Sequence, residues 1–421
     1  MGTRPDAAMR RGLGRAYNRL LTGYAISNVG NGVLLAALPL LVASNTRNPL
    51  VISGLTVAAG LPWIIVGPLS GAIVDRVDRR SVMVLAEVSR AGLMGAAALY
   101  VFGGGESIIA LYGLLILVGV GETFFDPAGL ALVPGLVSPS QLDAANSRLY
   151  GIQILVQRFV GPPIGGWLFA LAAWAPLGVD ALSFLAAGMV VLGLPRGTRE
   201  KPSEHHRPGL LTETVEGVRW VWRHSVLRAF MVGAGALHFA TAAGLSVLVL
   251  LAQDRFGLTG FGFGLTMGGL AVGYFLGYVV APSITARLPR VRICVGALVG
   301  VTGGFFLIAV SGFALLGGLG LALVGLLGAQ FDVVAISYRQ SAVPDHVLGR
   351  VFTSFLFVTH GAIPVGALVG GMVAGWAGVG YAYVAAALVV AVVIPFLWVA
   401  LKGEELDPER LQGNSPESWT G

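Results

Sequence analysis

Long apolar runs recur along the chain at short intervals and constrain its fold more than any other feature. A helix needs about 20 consecutive apolar residues to cross the hydrocarbon core of a bilayer. Hydrophobic residues make up 55% of the 421 residues and charged residues only 11%, which excludes an ordinary soluble domain. We therefore predict an all-α polytopic membrane protein. Its twelve transmembrane helices are predicted at residues 17–43, 50–74, 82–103, 108–137, 144–171, 176–194, 227–253, 261–285, 293–312, 314–343, 350–376 and 380–401.

Positive charge is concentrated in alternate connections between the predicted spans. The densest connection is residues 71–80, which must form a short aqueous turn because charged side chains are costly in hydrocarbon. If the N-terminus is cytoplasmic, the outer loops hold only Arg47 and Arg255, which satisfies the positive-inside rule. We expect a multi-pass protein of the inner (plasma) membrane with both termini in the cytoplasm. The basic residues of the inner segments are then Arg76, Arg79, Arg80, Arg196, Arg199, Lys201, Arg207, Arg219, Arg223, Arg228, Arg287, Arg290, Arg292, Arg350, Lys402 and Arg410.

A long polar connection follows the sixth span and divides the chain into two six-helix halves. Within it Leu211, Val215, Val218 and Trp222 recur at helical spacing, which predicts an interfacial amphipathic helix. The predicted organisation is an N-terminal half at 1–194, a cytoplasmic linker at 195–226, a C-terminal half at 227–402 and a cytoplasmic tail at 403–421.

Cysteine and histidine do not occur in patterns typical of metal sites. Cys294 is the single cysteine, so neither an intramolecular disulfide nor a cysteine-built metal site can form. His205 and His206 are neighbours in the linker without a third ligand, and we interpret them as solvated side chains. We expect no metal and no cofactor. The sequence also has no nucleotide-binding loop, so an ion gradient or the gradient of the substrate itself would supply the energy.

The second half of the chain repeats weak features of the first half at a shift of 210 or 211 residues. Glu122 aligns with Asp332, and Asn28 aligns with His238. The matching segment for the turn at 71–80 keeps two arginines and loses the acids. Such weak internal symmetry is typical of secondary transporters, which bind their substrates near the membrane midplane between the halves.

Two sequence elements resemble signatures of one family. Residues 71–80 resemble the turn between the second and third spans of the major facilitator superfamily, with Asp78 in place of a glycine. Residues 161–166 (Gly-Pro-Pro-Ile-Gly-Gly) are similar to an element associated with its exporters, with Gln157 in place of an upstream glycine. The chain resembles the bacterial branch of drug/proton antiporters that includes macrolide and enterobactin exporters. The resemblance implies the major facilitator fold of two pseudo-symmetric six-helix halves. The element residues, which we expect at a moving interface, are Gly161, Pro162, Gly165 and Gly166.

The resemblance also implies a gate at the turn of residues 71–80. Asp75 is expected near the start of span 11, around Gly349 and Arg350, where the helix dipole and the arginine favour a carboxylate. This contact is expected to hold the cytoplasmic side closed. Glu87 and Arg90, spaced i, i+3, are expected to neutralise each other near the inner end of span 3. The predicted gating residues are Gly71, Asp75, Arg76, Arg79, Arg80, Glu87, Arg90 and Arg350.

Three carboxylates within spans are the predicted proton-coupling residues. Glu122 and Asp126 lie four residues apart on one face of span 4, and Asp332 in span 10 is the repeat mate of Glu122. An ionisable residue within a span is a functional candidate by default. A carboxylate that alternates between an apolar environment and a nearby cation can bind a proton on one side and release it on the other. The alternative is a structural, hydrogen-bonded carboxylate, and Asp126 could be solvated near the cytoplasmic boundary.

Polar side chains in the spans are predicted to line the substrate cavity. The resemblance implies that spans 1, 4, 7 and 10 surround this cavity. The alternative role of these polar groups is hydrogen bonding between helices. Asp180 and His360 are assigned mainly to structure. The predicted cavity residues are Tyr24, Asn28, Asn31, His238, Gln153, Arg158 and Arg339.

The leading hypothesis is a secondary transporter that exchanges protons for an amphipathic small molecule, such as a drug, antibiotic or siderophore, by alternating access. Proton-linked uptake or facilitated diffusion of a nutrient is the alternative within the same fold. A non-transporting receptor or scaffold is the alternative of another class. An enzyme is not expected, because no nucleophile–base pair or metal cluster is present in the sequence. The expected partners are the small-molecule substrate, protons and the lipid bilayer; we expect no nucleic acid and a monomer.

Overall fold

The computed structural model describes residues 13–74, 76–138, 141–195 and 210–402, which are helical almost throughout and contain no β-strand. The helices of the first half are α1 (Arg15–Asn45), α2 (Pro49–Ile65), α3 (Gly67–Val74), α4 (Arg79–Phe102), α5 (Ile108–Leu136), α6 (Leu142–Ile154), α7 (Gly161–Leu171) and α8 (Ala175–Leu192). A π-helical turn, Leu155–Val160, joins α6 to α7.

The remaining helices follow in the same manner. They are α9 (Leu210–Arg223), α10 (Ser225–Ser246), α11 (Leu248–Leu250), α12 (Gly260–Thr285), α13 (Arg290–Val310), α14 (Ala314–Ala342), α15 (Asp345–Ala377) and α16 (Val379–Lys402). A second π-helical turn, Leu251–Arg255, follows α11. Helix α9 occupies the segment where the sequence predicts an amphipathic helix.

The predicted transmembrane spans are confirmed. Eleven helices among the described residues are long and apolar enough to cross a membrane. The remaining predicted span, 50–74, is formed by α2 and α3, which are separated at Val66. Pro68 lacks the backbone N–H that a continuous helix would use there, which accounts for the break. Over the described residues the chain is all-α, and its helices account for the twelve predicted spans.

Short connections between the spans are stabilised by capping residues. Asp78 is the N-cap of α4, since its carboxylate accepts hydrogen bonds from Ser81 N at 3.0 Å and Ser81 Oγ at 2.6 Å. Gly378 joins α15 to α16 with φ of 107°, a backbone conformation that favours glycine. Asp78 stands where the resembling family has a glycine, and its capping role explains why an acid suits this position.

The chain divides into two compact units. Unit 1 comprises Met1–Leu41 and Leu61–His205, and unit 2 comprises Val42–Gly60 and His206–Gly421. The chain therefore passes from one unit to the other within α1, close to Pro39, and returns within α2, close to Pro62.

Within unit 1, glycines allow α7 to approach α1 closely. A Cβ atom at Gly161 would lie 2.4 Å from Gly32 Cα, and one at Gly165 would lie 2.0 Å from Val33 O. These separations leave no space for a side chain larger than hydrogen. Two glycines of the exporter-associated element at residues 161–166 thus form a helix–helix contact.

Unit 2 repeats the helix pairing of unit 1. In unit 2, α15 packs on α10, where Cβ atoms at Gly366 and Gly370 would lie 2.2 and 2.3 Å from the carbonyl oxygens of Phe239 and Ala243. This is the counterpart of the contact of α7 with α1. The pairs α4–α5 and α4–α8 of unit 1 likewise correspond to α13–α14 and α13–α16 of unit 2. The weak sequence repeat therefore has a structural counterpart in each unit.

Candidate functional site

A buried ion pair lies at the centre of unit 1. Glu87 and Arg90 are one turn apart on α4, and Arg90 Nη1 lies 3.1 Å from Glu87 Oε1. Their side chains are 0% and 1% exposed. The face of the Phe184 ring on α8 covers the guanidinium of Arg90, which lies 3.9 Å from the ring centroid. Two charges so completely removed from water are costly unless they are well paired and hydrogen-bonded.

Helix α1 supplies polar partners to this ion pair. Ser27 Oγ donates to Glu87 Oε1 at 3.1 Å, and Arg90 Nη2 donates to Asn31 Oδ1 at 2.7 Å. The amide of Asn31 then donates from Nδ2 to Glu122 Oε1 on α5 at 3.3 Å. Asn31 therefore connects Arg90 to Glu122 through one amide group, and the hydrogen bonds run from α4 through α1 to α5.

Helix α8 contributes a second fully buried carboxylate. Asp180 is 0% exposed, and its side chain lies within electrostatic reach of both Arg90 and Glu122. A Cβ atom at Gly30 of α1 would lie 2.0 Å from Asp180 Oδ1, so the absence of a side chain there makes room for the carboxylate. Ser183 Oγ lies 3.4 Å from the same oxygen. We define the Arg90 cluster as Ser27, Asn31, Glu87, Arg90, Glu122 and Asp180.

Two parts of the Arg90 cluster differ from the prediction made from the sequence. Glu87 and Arg90 are predicted near the inner end of span 3, but they lie eight and eleven residues after Arg79, the first of the 24 residues of α4. At a rise of about 1.5 Å per residue, Arg90 is about 16 Å from the end, near the helix midpoint. The apolar run starts at residue 82, whereas α4 starts at Arg79. The predicted span therefore lacks the first three residues of the helix, and the pair is predicted too close to its end. Asp180 was assigned mainly to structure, although a carboxylate within a span is itself a signal for function.

Asp126 and Tyr24 lie beside the cluster. Asp126 is one turn after Glu122, half-buried, and within electrostatic reach of Glu122 and Arg90. It lies ten residues, or about 15 Å, before the end of α5, so it is well inside the helix. The hydroxyl of Tyr24 donates to the Asp126 carbonyl oxygen at 2.8 Å. Gly129 leaves space for the Tyr24 ring, because a Cβ atom there would lie 2.3 Å from Tyr24 Cε2.

Asn28 is less accessible than its predicted place in a substrate cavity requires. It is 1% exposed, and its Nδ2 donates to the Tyr24 carbonyl oxygen of the same helix at 2.9 Å. Its Oδ1 has no hydrogen-bond partner among the described residues. In the π-helical turn between α6 and α7, Arg158 is exposed, while Gln153 just before it is half-buried.

In unit 2, Asp332 lies on α14 opposite Tyr278 of α12. The Tyr278 side chain is hydrogen-bonded to the Asp332 carboxylate, and Arg339 is within electrostatic reach of it. The Arg339 guanidinium lies over two rings of α15, 4.5 Å from the centroid of Phe355 and 5.2 Å from that of Phe352. Arg339 therefore contributes to the packing of α14 on α15.

His238 is held on α10 by its own helix. Its Nδ1 lies 2.9 Å from the Ala234 carbonyl oxygen, so the proton on Nδ1 is donated to that carbonyl. His360 of α15 makes the same type of bond to Leu356 at 3.0 Å, and the two histidines are within electrostatic reach of each other. Over the described parts of the chain, no group of three or more potential metal ligands comes together.

The predicted gate is only partly described. Asp75 lies outside the described residues, as do His205 and His206 and the tail at 403–421. Arg79 Nη1 donates to the Ala131 carbonyl oxygen of α5 at 2.7 Å, and Arg80 donates to the Leu192 carbonyl oxygen of α8. These two arginines connect the start of α4 to neighbouring helices of unit 1. Of the other predicted gate residues, Arg76 is exposed and Arg350 is half-buried.

Comparison with known proteins assigns the family. A family model of the major facilitator superfamily, described as transmembrane secretion effector, matches residues 14–416. The chain belongs to this family. The family and the fold are those of multi-pass membrane transporters, which are not enzymes.

Individual relatives of this major facilitator protein are distant. Macrolide efflux protein A of Streptococcus pyogenes is 23% identical over 371 residues, which cover 84% of this chain and 87% of the relative. The multidrug efflux pump Tap of Mycolicibacterium fortuitum is 29% identical over 218 residues. That match covers 49% of this chain and spans about half, 52%, of Tap. The crystal structure of the nucleoside transporter NupG has a TM-score of 0.70 at 13% identity and covers 92% of this chain and 100% of that chain, a likeness that concerns the fold alone.

Proposed function

We propose that this protein is an exporter that exchanges protons for an amphipathic small molecule across the plasma membrane, with both termini in the cytoplasm. The observation that carries the proposal is the Arg90 cluster. Three carboxylates and one arginine meet within the spans of unit 1, and Asp126 lies one turn away.

Charge balance supports proton binding at this cluster. Among the described residues, Arg90 is the one cation that hydrogen-bonds within the cluster, and it forms its ion pair with Glu87. Glu122, Asp126 and Asp180 are then left without a cation of their own. Like charges in a water-poor interior repel each other strongly, so a proton bound within the cluster would relieve this repulsion. We propose Glu122 as the proton-coupling residue of the cluster, because Asn31 connects it to Arg90.

Asn31 is the group that couples Glu122 to the arginine. It accepts from Arg90 and donates to Glu122 with the two ends of one amide. A protonated Glu122 presents one oxygen that no longer accepts from Asn31 as strongly, so the hydrogen bonds between α1, α4 and α5 change with the proton. Protonation at Glu122 thus alters contacts between three helices, which is what coupling to a conformational change requires.

The substrate class is proposed from the relatives and the cluster together. The relatives include a macrolide efflux protein and a multidrug efflux pump, both named for export. Asp332, which is hydrogen-bonded to Tyr278, is a further carboxylate within the spans, in unit 2, and favours cationic or zwitterionic amphipathic compounds. We propose that the protein acts as a monomer without a cofactor, metal or nucleic acid.

Transport in inverted membrane vesicles tests the proposal. An imposed pH gradient, acidic inside, is expected to drive uptake of ethidium or erythromycin into vesicles that contain the protein, and Glu122→Gln is expected to abolish this gradient-driven uptake. The matched control is Glu106→Gln, which changes an exposed glutamate in the connection before α5 and should leave transport unchanged.

Three results separate the possibilities. Retained binding of the probe with lost response to the gradient in Glu122→Gln supports proton coupling. Undiminished gradient-driven uptake in both Glu122→Gln and Asp332→Asn would show that the coupling assignment is wrong. Movement of compounds in the direction of the proton flux would instead identify an uptake symporter.

A further inference from the structure

A cavity of about 540 Å³ opens between the start of α1 and the end of α8, in unit 1 and away from the Arg90 cluster. Its position corresponds to the membrane boundary, because α8 ends at Leu192 and α1 begins at Arg15. Its walls are formed by Arg15, Asn18, Arg19 and Thr22 of α1 and by Met189, Val190 and Gly193 at the end of α8.

The α1 wall of the cavity is basic and hydrogen-bonding. Its four residues are spaced i, i+3, i+4 and i+7, so they lie on one face of the helix, and all four are exposed. None of the described residues that line the cavity is acidic. The Thr22 hydroxyl donates to the Asn18 carbonyl oxygen at 2.8 Å, so the wall offers two guanidinium groups and an amide to an anion, without a competing carboxylate.

One of the arginines is held in place by the end of α8. Arg19 donates to the Gly193 carbonyl oxygen, beside the bond from Arg80 to the Leu192 carbonyl oxygen. A guanidinium has five N–H donors, so Arg19 keeps others for a ligand. A Cβ atom at Gly193 would lie 3.3 Å from Arg19 Nη1, so glycine at this position keeps the cavity from narrowing.

The α8 side of the cavity continues into an exposed apolar surface. Leu182, Leu185 and Met189 are 66%, 44% and 67% exposed and are spaced i, i+3 and i+7 along α8. In a transmembrane helix such a face contacts lipid acyl chains. From Arg15 to Thr22 the polar wall extends about 10 Å along α1, which reaches from the headgroup region into the edge of the hydrocarbon. The site thus combines a cationic wall on α1 with an apolar surface on α8, and this combination matches an anionic amphiphile.

We propose that this cavity binds the headgroup of an anionic phospholipid, with Arg15 and Arg19 on the phosphate and the acyl chains along Leu182, Leu185 and Met189. A lipid is favoured over free phosphate because the apolar surface continues directly from the basic wall. The topology predicted from the sequence places this end of the spans on the cytoplasmic side, where basic pockets bind anionic headgroups.

Titration of lipids into the purified full-length protein, read by native mass spectrometry, tests the proposal. The probes are phosphatidylglycerol, phosphatidylethanolamine with the same acyl chains, and inorganic phosphate. We expect phosphatidylglycerol to bind more tightly than phosphatidylethanolamine, and inorganic phosphate not to displace it. Arg15→Gln is expected to weaken phosphatidylglycerol binding about fivefold, and Arg15→Gln with Arg19→Gln about thirty-fold.

The variants separate a binding role from a folding role. Arg15→Gln leaves the bonds from Arg19 and Arg80 to α8 in place, so its effect does not depend on the end of that helix. Arg292→Gln is the matched control, since Arg292 is an exposed arginine in the first turn of α13. Equal affinity for the two lipids, or unchanged affinity in the double variant, would overturn the proposal. Displacement of phosphatidylglycerol by inorganic phosphate would assign the cavity to a free anion.

Discussion

Arg90→Met is the substitution whose effect the structure defines best. It removes the one cation from the Arg90 cluster, leaving Glu87, which is 0% exposed, without its ion pair. The unbranched methionine side chain can follow the path of the arginine past Gly121, where a Cβ atom would lie 2.6 Å from Arg90 Cγ. The main effect is therefore the loss of charge rather than a steric clash.

The expected loss of stability is large. Removal of one partner from a buried ion pair costs about 3–5 kcal/mol, because the remaining charge stays buried. The interaction of the guanidinium with Phe184, at 3.9 Å, adds about 2 kcal/mol in a site without water. Since about 1 kcal/mol corresponds to about 2–4 °C in a unit of this size, the apparent melting temperature should fall by about 10 °C or more.

A double-mutant cycle measured by thermal melting in detergent isolates the charge term. Glu87→Leu combined with Arg90→Met removes both members of the pair, and we expect it to melt closer to the wild type than Arg90→Met does. Arg158→Met, at an exposed arginine of the same unit, should melt with the wild type. If Arg90→Met also melted with the wild type, or the double variant lost the sum of the single losses, the reasoning about the buried pair would be refuted.

Two further predictions concern packing and capping, and both are read by thermal melting. Gly165→Ala should lower stability by about 1–3 kcal/mol, because the new Cβ atom would lie 2.0 Å from Val33 O. The control is Gly151→Ala, which should not lower stability because no atom lies within 4 Å of the new Cβ atom. Equal melting temperatures of the two variants would contradict the close contact. Asp78→Ala should cost about 1 kcal/mol through loss of the N-cap bond to Ser81 N, and Asp78→Gly only a few tenths, so a glycine variant that melts below the alanine variant would argue against capping.

The sequence predicted the fold nearly completely because lipid leaves few alternatives. A run of about 20 apolar residues in a membrane must satisfy its backbone hydrogen bonds internally, so each run becomes a helix. The 210-residue shift that aligns Glu122 with Asp332 indicates an internal repeat, and the same helix pairs occur in both units. The break at Val66 and the two π-helical turns were not foreseen, since apolar composition does not report the hydrogen-bond pattern within a helix.

The site was harder to predict because its residues are brought together by packing. The sequence shows Glu87 and Arg90 as a pair, but not that Asn31 connects Arg90 to Glu122 or that Asp180 approaches from α8. Gly30 and Gly121 make this packing possible, since each leaves the space that a neighbouring polar side chain occupies. A glycine has no chemistry of its own, so its contribution to a polar site is visible only in three dimensions.

The division of α1 and α2 between the two units has a mechanical consequence. The chain leaves unit 1 between Leu41 and Val42 and re-enters it between Gly60 and Leu61, in each case within three residues of a proline inside the helix. Pro39 and Pro62 each deprive the carbonyl four residues earlier of its helical partner, which lowers the cost of bending at that turn. Each proline therefore marks a turn at which its helix bends at a lower cost than an uninterrupted helix would.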